Sequence, residues 1–263
     1  MNTLFNPSAI TAVALNTLRE AVRNKVFGTL ALFSVALSAS SLVIGEMSLH
    51  QELRLTQTMT LFAASLFCVI ITIYSSVTLF HTELERRTIY TLLTKPVRRW
   101  EFLVGKTMGV QLLMTGVLGL LTALSAALIV YQGGSFTTQI AAAYFTLWLQ
   151  LCIVNAFAHS LSCIASPLLA GFSTLGIFIA GRLHDELVSI QRLLEDQENP
   201  ASVIVDLIRP LIPNLASLNL EREAVYQLAL PSSYLVSATV YALSYALIVL
   251  LFGIAAFSRK DLN

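Results

Sequence analysis

Long apolar runs alternate with short polar stretches along this chain, and their lengths predict helices that cross a bilayer. The runs fall at residues 27–45, 58–80, 108–131, 138–164, 166–181 and 233–257. Most of them come near the ~20 residues that a transmembrane helix needs. The run at 166–181 is the shortest, and the turn before it, at Pro167, is tight. Ahead of the first run, Asn6-Pro7 has the form of a helix start. Ile10, Val13, Ala14, Thr17, Leu18, Ala21 and Val22 then mark one face, and Asn16, Arg19, Glu20 and Arg23 the other. This predicts an interfacial helix within residues 1–26. The expected fold is therefore an all-α membrane protein: six transmembrane helices in a single domain over residues 1–263, with an N-terminal interfacial helix.

Two segments between the runs carry periodicity of their own. In residues 81–107, Ile89, Leu92 and Leu93 repeat at helical spacing before Pro96, and Trp100, Leu103 and Val104 repeat it after. The prediction is two short amphipathic helices hinged at Pro96, with Glu83, Glu85, Arg86 and Arg87 on the charged face before the hinge and Arg98, Arg99 and Glu101 after it. In residues 182–232, Leu183, Leu187, Ile190 and Leu194 form one stripe, and Ile204, Leu207, Ile208 and Leu211 form another after Asn199-Pro200. Two short amphipathic helices on or dipping into the outer surface are expected there.

Composition supports the membrane reading and charge orients it. Hydrophobic residues make up 56% of the chain and charged residues only 12%, half the share typical of soluble domains. Six spans put both termini on one side. Of the sixteen Lys and Arg residues, eleven then lie in the N-terminal arm, residues 81–107 and the C-terminal tail, and five in the alternate loops. The positive-inside rule makes the first set cytoplasmic. No cleavable leader is expected, because Arg19, Glu20, Arg23 and Lys25 precede any apolar core.

Candidate chemistry is sparse. Gly105-Lys106-Thr107 has the ending of a phosphate-binding loop, but Trp100 stands where that motif needs its first glycine. Lys106 is then expected to be a basic residue at a helix joint on the membrane surface. The four histidines are scattered, His81-Thr82-Glu83 is not a metal-binding pair, and no serine-hydrolase elbow occurs. Cys68, Cys152 and Cys163 lie in apolar runs at spacings that fit neither zinc nor disulfides, and no metal, cofactor or nucleic acid is expected. Asn155, His159 and Ser162 form a polar stripe, with Gln150 nearby; they either line a pathway or hold helices together. No Asp, Glu, Lys or Arg stands centrally in an expected span, which argues against an ion-coupled transporter. Gly109, Gly116, Gly119, Ala170, Gly171 and Gly176 would allow close helix approach.

The stretch from Glu83 to Lys106 resembles the signature of ABC-2 type permeases. The matching positions are Thr88, Leu92, Leu93, Pro96, Val97, Arg99, Gly105 and Lys106, while the bulky Ile89-Tyr90 departs from the small residues common there. The layout of the whole chain is similar too, nearest to the branch that includes permeases of copper-enzyme maturation. The resemblance implies that residues 81–107 are a cytoplasmic coupling loop, in which Glu83, Glu85, Arg86, Arg87, Tyr90, Pro96 and Arg99 meet a separate ATPase. It implies two ATPase subunits per complex, with ATP and Mg bound on them, and a second permease copy or a related permease. It implies a multi-pass protein of a cell membrane, the bacterial inner membrane, whose own chain is not an enzyme. ATP hydrolysis would drive export or translocation. The alternative is a membrane scaffold doing mechanical work on an external partner held at residues 182–232.

Overall fold

The computed structural model describes residues 7–46, 51–85, 98–186, 189 and 212–259. Among these, all regular structure is helical: α1 (Pro7–Arg23), α2 (Lys25–Glu46), α3 (Glu52–Glu85), α4 (Arg99–Tyr131), α5 (Thr138–Ser162), α6 (Pro167–Arg182), α7 (Glu221–Tyr226) and α8 (Tyr234–Arg259). Five helices are long and apolar enough to span a bilayer, namely α2, α3, α4, α5 and α8. The expected sixth, α6, has 16 residues. At 1.5 Å per residue it reaches about 24 Å, short of a ~30 Å hydrocarbon core.

α5 is the hub. It packs against α3, α4, α6, α7 and α8. In its apolar window 78% of residues are buried, and 72% in that of α3, against 17% in α2 and in α8. Small residues set the contacts, as they must where lipid is as apolar as the helices themselves. The buried positions of α2 include Ser34, Ser38 and Ser41, which lie along one stripe of a helix that packs mainly on α3. Gly253 of α8 crosses α5 at Ser160, where an added Cβ would lie 2.8 Å from Ser160 Cβ, and Ser160 Oγ donates to the Val249 carbonyl at 2.8 Å. The three cysteines are free and buried, as packing residues are.

α1 has the apolar face expected of it: Ile10, Val13, Ala14, Thr17 and Ala21 are buried, while Val22 is exposed. That face lies along α4, however, so protein covers it. The contact is close because α4 presents Gly105 and Gly109 to it. A Cβ on Gly105 would stand 2.8 Å from Val13 Cβ, and one on Gly109 would stand 2.6 Å from Thr17 Cβ. Of the other glycines expected at contacts, Gly116, Gly119 and Gly176 have open space around them.

The loop boundaries also differ from expectation. The second short amphipathic helix after Pro96 is the first turns of α4, continuous for 33 residues to Tyr131. Its start is fixed by the Glu101 carboxylate, which accepts from the Arg98 backbone N–H at 2.9 Å. Residues 187–188 and 190–211, which carry most of the two expected outer amphipathic helices, lie outside the described residues. The segment 212–226 is partly turned into the bundle, although Ser217, Arg222 and Tyr226 are exposed. Leu215, Leu218 and Leu220 are buried, and Leu215 and Leu218 pack with Leu149 and Ile153 of α5 and Ala238 and Ala242 of α8.

Gly109→Leu is expected to wedge α1 off α4 and to cost about 1–3 kcal/mol by overpacking. Gly116→Leu, on the same helix with nothing within 4 Å, should leave stability unchanged. Thermal unfolding of the two variants in detergent checks the contrast.

Candidate functional site

A cluster of polar groups lies inside the bundle where α1, α3, α4 and α5 come together. Lys106 falls on the stripe Leu103, Lys106, Val110, Leu113, Val117, all of it buried. A charge at that phase must enter the core with the leucines. Its side chain has no exposed surface, and Nζ lies 2.7 Å from Glu83 Oε1 and 4.0 Å from Glu20 Oε2. Glu83 is itself buried, while Glu20 is 34% exposed. Lys106 Nζ also stands 5.8 Å from the centre of the Phe102 ring. Phe102 belongs to an aromatic cluster with Phe80 and Phe257, at centroid distances of 5.8–6.4 Å. So a buried cation is held between two carboxylates and lies over the Phe102 ring. Breaking such a pair leaves a charge without compensation, at a cost of about 3–5 kcal/mol.

One layer further in, the expected polar stripe of α5 is found inside the chain's own core. Asn155, His159 and Ser162 have no exposed surface. Asn155 Oδ1 accepts from Ser76 Oγ at 3.0 Å, and its Nδ2 donates to the Thr107 carbonyl at 2.9 Å and to Gln111 Oε1 at 3.2 Å. This one side chain ties α3 and α4 to α5. His159 Nδ1 contacts the Asn155 carbonyl at 3.1 Å, and Ser162 Oγ donates to the Ala158 carbonyl at 2.7 Å. These bonds hold helices and turns.

A second polar group, with Arg182 and Glu221 half-buried, lies further along the bundle. Arg182, the last residue of α6, donates to Gln150 Oε1 at 3.3 Å and lies over the Phe178 ring. Gln150 is 1% exposed and sits about 18 Å from the α5 C-terminus, so the short α6 ends near mid-bundle. Gln150, Arg182, Asn219 and Glu221 line a cavity of about 20 Å³ with Ser65 and apolar neighbours, room for one water. Burial raises the Glu221 carboxyl above the usual carboxylate range, and the Arg182 guanidinium offsets part of that rise.

Of the residues expected to meet a partner, Glu83 is turned inward to Lys106 with 11% of its side chain exposed, and Glu101, expected on the charged face, is 2% exposed. Arg99 is half-buried and donates from Nη1 to the Phe257 carbonyl at 3.2 Å, near the C-terminal end of α8, where the helix dipole favours a cation. The Glu85 side chain, Arg86, Arg87, Tyr90 and Pro96 lie outside the described residues. Lys106 is not a surface residue, and Gly105 beside it serves helix contact rather than phosphate. Ser76 and Gln111 went unassigned in the sequence, and Lys106 was expected at the membrane surface, although its helical phase with Leu103 and Val110 marks it as buried. Glu83 and Lys106 are buried and Arg182 and Glu221 half-buried, all four outside the central parts of the expected runs.

A family model for ABC-2 family transporter proteins matches residues 10–262. The chain belongs to the ABC-2 transporter family. No curated protein sequence matches it. The family makes this chain a multi-pass membrane permease, the transport component of an ABC transporter, and it implies an ABC ATPase partner and pairing of permease subunits. In that setting the helices flanking residues 86–97 are the permease's two longest, α3 with 34 residues and α4 with 33, and the Lys106–Glu83 pair joins them.

Lys106→Met and Glu83→Gln are each expected to lower the stability of the permease by about 3–5 kcal/mol, while the double variant returns close to wild type because no charge is left unpaired. Unfolding of the three variants in detergent measures this. Single variants within 1 kcal/mol of wild type would show that the pair carries no such cost.

Proposed function

We propose that the chain is the permease subunit that couples ATP hydrolysis on separate ATPase subunits to export or translocation of a substrate. The observation that carries this is the family match over residues 10–262, taken with a signature stretch that falls at the junction of the two longest helices. Residues 81–107 hold six of the sixteen basic residues, which supports a cytoplasmic position for that junction and for both termini. On this reading α6 is counted as a membrane segment although it is short, and the membrane is a bacterial inner membrane. Glu85, Arg86, Arg87, Tyr90 and Pro96 contact the ATPase, which binds ATP and Mg. Two ATPases and two permeases, either two copies or a related pair, make the complex. The weakly buried faces of α2 and α8 leave apolar surface for lipid and for the second permease. The scaffold alternative gains little from residues 212–226, of which Ser217, Arg222 and Tyr226 are exposed.

Affinity-tagged permease extracted from its native membrane is expected to bring down an ATPase that hydrolyses ATP. Glu85→Arg and Pro96→Ala should leave membrane insertion intact and weaken that association about tenfold, equal to about 1.4 kcal/mol. Association and ATP hydrolysis at wild-type levels in both variants would mean that the loop is not the coupling element.

A further inference from the structure

Lys106 and Glu83 stand on opposite sides of residues 84–105. Their 2.7 Å contact therefore ties the helix that enters this stretch to the helix that leaves it. The third member of the cluster, Glu20, brings in α1, which is already seated on Gly105 and Gly109 of α4. An ammonium with no exposed surface has no water to replace a lost partner. It can leave Glu83 only for another carboxylate, and Glu20 at 4.0 Å is the neighbour that can receive it. Phe102, whose ring centre lies 5.8 Å from the ammonium, packs with Phe80 and Phe257. The cytoplasmic ends of three helices thus share one cation.

We infer that Lys106 is a positioning residue for coupling. It makes the inner ends of α1, α3 and α4 move as one body, so that displacement of the loop by the ATPase is passed into the bundle instead of being absorbed at the helix ends. This rests on the proposed role of residues 81–107 as the ATPase-facing element. α1 is then a carried element: it moves with α4 through Glu20 and the two glycines and needs no ATPase contact of its own.

The test uses the full-length permease co-purified with its ATPase in nanodiscs, with hydrogen–deuterium exchange measured with and without ATP plus vanadate. Wild type is expected to show a nucleotide-dependent change in uptake in residues 7–23 and 99–114 together. Glu83→Gln/Lys106→Met, which removes both charges at once, is expected to keep the ATPase bound and to lose that change in both segments. A pair that only holds the fold would shift uptake equally with and without nucleotide, so an unchanged difference in this variant overturns the inference. Glu20→Gln leaves the Glu83 contact in place and is expected to lose the change in α1 while α4 keeps it. If the double variant does not assemble, this second variant decides, and a wild-type response of α1 in it overturns the inference. A wild-type complex that hydrolyses ATP with no change in either segment does so as well. Failure of any ATPase to co-purify with wild type would instead overturn the proposed function.

Discussion

The rest of the inner end of this bundle is arranged around the need to keep one buried ammonium paired. Lys106 carries a full charge at a position whose helical phase points into the core, and a charge without water must find compensation within its own reach. Glu83 meets that need directly and Glu20 from the solvent side. Both carboxylates have to be delivered to one point, which fixes how far α3 extends beyond its apolar run and where α1 lies. Two glycines on α4 then become necessary, because α1 must come close enough for Glu20 to reach.

Elsewhere the same economy recurs with weaker groups. Membrane helices gain little from apolar contact with one another, so polar and small side chains determine which surfaces meet. Asn155 serves three hydrogen bonds to α3 and α4, and Ser160 with Gly253 sets the crossing of α5 and α8. The polar side-chain atoms of Asn155 and Ser160 are satisfied inside the chain. That leaves α2 and α8 with faces that are largely apolar and open.

Much of this was legible in the sequence. The long helices follow from hydropathy, and the apolar face of α1 follows from its spacing. Asn155, His159 and Ser162 could be placed on one stripe because α5 is regular throughout. Charged residues were harder. Glu83 and Glu101 were placed on a charged face by residue type and Lys106 at the membrane surface, and the burial of Lys106 is a matter of phase: it shares its stripe with Leu103 and Val110. Pairing across 23 positions of sequence, between Glu83 and Lys106, is a tertiary fact that no local pattern carries. The inward turn of residues 212–226 was hidden for a related reason, since it depends on α6 being too short to fill the space that they occupy.

That shortness gives the molecule two mechanically different ends. Towards the proposed cytoplasmic side, α3 and α4 are uninterrupted rods of about 50 Å. Beyond the end of α6 the bundle is completed by an irregular chain whose backbone bonds to the end of that helix, with Gly181 O accepting from both Leu215 N and Ala216 N at 3.0 Å. Such backbone is tolerated at membrane depth only while protein encloses it. Bending a rod breaks a continuous ladder of hydrogen bonds, whereas shifting a short segment breaks a few. A thrust applied at the stiff end would therefore do its work at the jointed one, where the chain has the least to unmake.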